Sequence, residues 1–172
     1  MSDLLEQVAG LVRLNGQEMV GKTRLQKTVY LLEAKGLGFG IEFDYHKHGP
    51  YSAEVAFAAE DAEAIGLLRT EDRLGFYQIP YTVFHVTEQT PALSRDALKP
   101  AREQALGAMG RFSALVLELA ATAVYLREHG YREDYWDEVK RRKPLKASPE
   151  RLEQAKKLLI QLDLEPPSTG QL

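Results

Sequence analysis

The stretch GKTRLQKTVYLLEAKG (residues 21–36), with HKHGPYS (residues 46–52) shortly after it, decides how this chain is read. From Lys22 to Lys35 the apolar residues Leu25, Val29 and Leu32 return at helical spacing and share one face with Thr28 beside it. Gly36 follows where a helix ends most easily, because glycine accepts the left-handed backbone of a C-terminal cap. Three polar or aromatic residues, Gln26, Lys27 and Tyr30, remain on the less apolar sides. They either pack under the Gly49-Pro50 segment or face a partner.

Working outward, Asp3 to Arg13 carries Leu4, Leu5, Val8, Leu11 and Val12 at three-four spacing, which predicts a first helix capped by Ser2 or Asp3 and stopped by Asn15-Gly16. After GLGFG, the segment IEFDYH alternates as a short strand and Gly49-Pro50 is expected to turn the chain. Ser52 is placed to cap a third helix, AEVAFAAEDAEAI, ended by Gly66. LLRTED and GFYQIPYTVFHVT predict two strands around a polar turn at Glu71 to Gly75. Pro80 inside the second favours an edge strand or a bulge. The rest is helical: Asp96–Gly107; Arg111–His129, apolar around much of its circumference and expected to be central; YREDYWDEVKRRKP, ended by Pro144; and SPERLEQAKKLLIQLDL, capped by Ser148 with Pro149 in its first turn. The resulting fold class is α+β and mostly helical. A winged-helix-like part (1–90, three helices plus a β-hairpin) precedes a C-terminal helical bundle (91–164) in a single domain, with 165–172 as a disordered tail.

Composition narrows the function. The chain has 172 residues, of which 44% are hydrophobic and 27% charged, as expected of an ordinary domain with its own core. No uninterrupted apolar run approaches the roughly 18 residues of a membrane span, since FSALVLELAATAVYL is broken by Glu118. The acidic N-terminus predicts no secretory leader. There is no cysteine, which rules out disulfides, thiol catalysis and thiolate metal sites and makes the cytoplasm the default compartment. A net charge of −3 offers a polyanion no general attraction, so nucleic-acid binding would need a local basic patch.

The candidate chemistries are then few. A recognition helix must tolerate phosphates, yet AEVAFAAEDAEAI carries Glu54, Glu60, Asp61 and Glu63 and no basic residue. Lys22, Arg24, Lys27 and Lys35 on the preceding helix form one basic cluster. Lys140, Arg141, Arg142, Lys143 and Lys146 form another. The plain reading of both is a solvated helix face, and the functional one is docking to an acidic partner. Asp44, His46 and His48 alternate along the predicted strand and would offer a metal two imidazoles and a carboxylate, a weak signal taken alone. His85 and His129 stand apart and are read as structural. Ser52 is explained as a cap rather than a nucleophile, and no phosphate-gripping or dinucleotide fingerprint is present. No catalytic residue, metal site or cofactor is assigned. Tyr131, Tyr135 and Trp136 near arginines suit either an interface anchor or packing onto the core.

The motif K-x-R-L-Q-K-x-x-Y-L-L (Lys22–Leu32), then H-G-P-Y-S (His48–Ser52), resembles the YwgA-type family of small prokaryotic proteins. More distantly it is similar to the SocA-like or Panacea antitoxin domain. L-E-L-A-A-T-A-V-Y-L (Leu117–Leu126) and the final A-x-x-L-L helix extend the resemblance over about residues 3–164. It implies a mostly helical α+β domain without catalytic residues. The SocA-like likeness further implies non-enzymatic binding of a toxin protein, although that pattern places an aromatic residue where this chain has His48. The function expected is a regulatory or antitoxin-like protein-binding module, with a protein partner and no membrane. Its candidate contact residues are Lys22, Arg24, Gln26, Lys27, Tyr30, His46, His48, Tyr51, Tyr135 and Trp136. The alternatives are a winged-helix nucleic-acid binder using Lys22, Arg24, Lys27 and the hairpin, and a metal-dependent hydrolase at Asp44, His46 and His48.

Overall fold

A computed structural model describes residues 3–93 and 97–165. The element order is α1 (Leu4–Leu14), β1 (Glu18–Val20), α2 (Lys22–Ala34), β2 (Asp44–His46), β3 (Gly49–Tyr51), α3 (Ala53–Ala64), β4 (Leu68–Leu74), a short 3-10 turn (Phe76–Gln78), β5 (Pro80–Val86), α4 (Lys99–Met109), α5 (Ala114–Glu128), α6 (Tyr135–Arg142) and α7 (Pro149–Gln161). This is a mostly helical α+β fold, as the sequence predicts. No single helix among the described residues is long and apolar enough to cross a membrane.

The apolar stripes account for the packing. Leu25, Val29 and Leu32 of α2 are buried together with Val8, Leu11 and Val12 of α1 and Val55, Ala59 and Ala62 of α3. α5 is buried all round from Val116 to Val124 and touches α2, α6, α7 and β3. It is the axis of the core. Two of the expected caps form: the Ser52 hydroxyl accepts from the Val55 N–H and the Ser148 hydroxyl from the Arg151 N–H. Ser148→Ala should therefore cost about 1 kcal/mol in a denaturant titration. Ser113 makes the same contact at the start of α5, where the sequence suggested a helix from Arg111. Asp3 sits at the N-cap of α1 without a side-chain cap bond.

Four readings of the strands and their turns are corrected. β1 is absent from the sequence reading because three residues, Glu-Met-Val, are too short to show a period. It pairs with β5 in the sheet order β1-β5-β4. β5 is thus the central strand, and Pro80 opens it opposite Leu74, the position where a missing N–H costs a ladder least. The β4–β5 turn lies beyond Leu74 rather than at Glu71–Gly75. Finally, Gly49-Pro50 is not the turn. Lys47-His48 turns the chain, while Gly49 and Pro50 belong to β3 and pair with His46 and Tyr45. The predicted start of α4 at Asp96 lies outside the described residues, as does 166–172 of the expected tail. Glu165 of that tail is described, and its carboxylate is held by two side chains of α6.

Candidate functional site

The two front motifs meet each other. The Gln26 side chain forms a pair of hydrogen bonds with the Ser52 backbone: its amide N–H donates to the carbonyl at 2.9 Å and its oxygen accepts from the N–H at 2.9 Å. The next residue, Lys27, donates from Nζ to the Pro50 carbonyl at 2.5 Å. α2 therefore reads the backbone of G-P-Y-S and holds β3 and the start of α3 in register. Gly49 suits this closeness on two counts. Its φ is +89°, and a Cβ there would stand 2.6 Å from the Thr122 hydroxyl oxygen on α5. Gln26→Ala should cost about 1–3 kcal/mol in equilibrium unfolding, because it strands the buried Ser52 N–H and leaves the Ser52 carbonyl only its bond from the Ala56 N–H.

Lys27 is 1% exposed, which raises the question of its counter-charge. The answer is Glu118, the acid that interrupts the apolar α5. Its carboxylate, itself buried, lies 3.3 Å from Lys143 Nζ, 2.9 Å from Lys146 Nζ and 3.3 Å from His48 Nδ1. Burial lowers the Lys27 ammonium to a pKa of about 8, with Glu118 opposing and Lys143 and Lys146 reinforcing the shift. Burial likewise lowers Lys143. It also lowers His48, with Lys146 adding to the effect. The folded state sheds the Lys27 proton before the unfolded state does, so stability should rise as pH climbs from about 8 toward the ordinary lysine value. Urea titrations across that range should show a shallower rise in Lys27→Met.

The candidate contact residues are divided between interior and surface. Gln26, Lys27 and Tyr30 are buried within the chain, which corrects their expected exposure to a partner. Tyr30 packs edge-on to Phe43 at 5.1 Å, and its hydroxyl has no hydrogen-bond partner among the described residues. Arg24 is turned to the end of α4, donating to the carbonyls of Met109 (3.3 Å) and Phe112 (2.6 Å). Tyr135 and Trp136 both donate to Glu165, at 2.8 and 2.6 Å, and so fasten α6 to the end of α7. Lys22, His46 and His48 are exposed, and His46 stacks on the half-buried Tyr51 at 4.7 Å.

Asp44, His46 and His48 do not converge: the first two lie on β2, whereas His48 lies in the turn beside Glu118. Among the described residues no group of three or more His, Cys, Asp or Glu is placed to hold a metal ion. His85 does not stand apart. Its ring reaches Glu71 at 2.9 Å and Glu18 at 3.7 Å, bridging the three strands of the larger sheet.

The outer surface of the first half is of a different kind. At the end of the β4–β5 hairpin Leu74, Phe76, Tyr77 and Ile79 are between 64% and 96% exposed. Tyr77 and Gln78 take positive φ values of 56° and 58°, an arrangement that holds the tip in a tight turn with Tyr77 outward. Further down the same hairpin a groove of about 460 Å3 separates it from α3, with Glu60, Glu63 and Asp72 on its walls. The sequence concealed this surface, because an apolar hairpin segment has the same period whether its side chains are covered or not.

Comparison with known proteins adds one relative. The chain is 27% identical over 128 residues to a protein of Bacillus subtilis (strain 168) named uncharacterized protein YwgA, a match covering 71% of this chain and 75% of the relative. That similarity supports a YwgA-type family. No family model and no solved structure matches the chain.

Proposed function

We propose that this chain is a non-enzymatic protein-binding module of regulatory type, with the β4–β5 hairpin and the acidic face of α3 as its contact surface. The single observation that carries the reading is the exposed apolar tip formed by Leu74, Phe76, Tyr77 and Ile79. Large apolar side chains grouped at a turn are costly to leave in water and are typical interface anchors. The acidic groove beside them, and the exposed Glu54, Glu60, Asp61 and Glu63 of α3, call for a partner with an apolar socket and a basic rim. A toxin-like protein of that description would fit the antitoxin-like role that the SocA-like resemblance implies.

The nucleic-acid reading has less support. The order α1-β1-α2-β2-β3-α3-β4-β5, with β1 against β5, is compatible with a winged helix-turn-helix carrying an added hairpin, but of the three basic residues named as phosphate contacts only Lys22 is exposed. Lys27 is buried and Arg24 is committed to α4.

A photo-crosslinking side chain placed at Phe76 tests the proposal in the native host. The expected result is one protein adduct, saturable by unlabelled chain. A Tyr77→Ser/Ile79→Ser variant should compete about 30-fold less well, as expected for loss of two anchors together worth about 2 kcal/mol. No saturable adduct, adducts to the chain itself, or adducts to DNA would overturn it.

A further inference from the structure

Behind the β2–β3 turn lies an open cleft of about 460 Å3 lined by Tyr45, His46, Lys47, Arg141, Arg142 and Lys143. It is separate from the hairpin surface described above, and no carboxylate is among its walls. Glu138 bonds both Arg141 and Arg142 along α6 and offsets one of their two charges. Glu118, behind the cleft, offsets one of Lys27, Lys143 and Lys146. With Lys47 at the rim, four cations line the cleft, and with Lys27 and Lys146 around Glu118 the cluster holds six cations against two carboxylates, a local surplus of four on a chain whose net charge is −3.

A solvated basic face does not explain this, because such a face leaves its ammonium groups in water. Here Lys143, in the cleft wall, is 5% exposed, and Lys27, which shares the carboxylate of Glu118 with it, is 1% exposed, so part of the surplus is held where its desolvation is costly. An anion in the cleft would supply the missing counter-charge. A surplus of this size suits a dianion better than a lone carboxylate. Guanidinium forks beside ammonium groups match the terminal oxygens of a phosphate group in both geometry and charge. Arg142 lies 4.9 Å from the Tyr45 ring, which leaves the cleft an aromatic wall as well as a charged one.

We propose that this cleft is a binding site for a phosphate group, taken either as the free anion or as a small phosphomonoester. The groups that meet it are Lys47, Arg141, Arg142 and Lys143, with Lys146 and His48 gathered on Glu118.

Isothermal titration of the whole chain at neutral pH and fixed ionic strength, with inorganic phosphate and with phenyl phosphate, tests this. Saturable one-to-one binding of at least one probe is expected. Both probes binding alike identifies the phosphate group alone as the ligand, and tighter binding of phenyl phosphate identifies an ester with an aromatic neighbour. Lys47→Ala/Arg141→Ala should weaken binding about tenfold or more, since it removes two charged contacts. Both side chains are largely exposed, and a thermal melt checks that the variant folds. Lys47→Ala alone should act in the same direction. Saturation by neither probe, undiminished binding by the double variant, or binding of a short DNA duplex but of neither small anion would overturn the proposal.

Discussion

Glu118→Gln should destabilise the fold by about 3–5 kcal/mol at neutral pH, although the substitution keeps the shape of the side chain. The loss follows from what the carboxylate holds. Lys143 and Lys146 reach it directly, Lys27 is buried in its field, and the first and last of these are almost wholly withdrawn from water. An amide oxygen still accepts hydrogen bonds, but the side chain carries no charge and leaves the surplus uncompensated in a poorly solvated place. The deficit should also depend on pH, with a sign fixed by Lys27. Without the attraction of Glu118, its folded pKa falls further below about 8, while the unfolded value stays near that of ordinary lysine. The penalty is then present at neutral pH and relieved as pH rises through the folded pKa toward the unfolded one. Urea titrations should show the variant recovering part of its stability at a pH of about 10. A loss below about 1 kcal/mol at neutral pH would mean that the cluster is solvated and that Glu118 holds little.

Leu25→Asp should leave no folded protein. Leu25 is 2% exposed on the buried face of α2 and lines the groove beside α3 together with Phe84 of β5. Lys22, one turn back on α2 and lining the same groove, is exposed while Leu25 is buried, and burying a carboxylate without a buried partner costs several kcal/mol, more than about 4 in a well-packed core. The marginal stability of a domain does not survive that. Circular dichroism should show a non-cooperative melt, and a melt indistinguishable from wild type would refute the packing described for α2.

Much of the fold was legible because its determinants are local in sequence. The three-four spacing of Leu25, Val29 and Leu32, the caps at Ser52 and Ser148, and the all-round apolar α5 each announce an element within a dozen residues. β1 was not legible, since three residues without alternation become a strand only when β5 supplies the pairing. Gly49-Pro50 misled for a chemical reason: glycine and proline are the usual residues of turns, yet here glycine makes room for Thr122 and proline offers its carbonyl to Lys27. Neither job is visible without the neighbouring helix.

The candidate site was legible only in part. Glu118 stood out as the one acid in an apolar run, but its partners come from α2, the β2–β3 turn and the segment after α6, far apart in the chain. Lys143 looked like one more member of a solvated basic run and is instead buried. Gln26, Lys27 and Tyr30 were legible as polar residues left over from the apolar stripe. The choice between packing inward and facing a partner required the position of Ser52 and Pro50. The apolar hairpin tip was hidden for the opposite reason, since exposure is a property of what surrounds a segment and Phe76, Tyr77 and Ile79 would suit a core equally well.

The front motifs are, in this account, an internal lock between α2, the G-P-Y-S strand and α5, and contact with other molecules is left to surfaces outside it. A double-mutant cycle on Lys27→Met and Glu118→Leu measures that lock directly by chemical denaturation. The account predicts that the two losses are strongly non-additive, with the pair recovering at least about 1 kcal/mol relative to their sum. Additivity to within about 0.5 kcal/mol would contradict it.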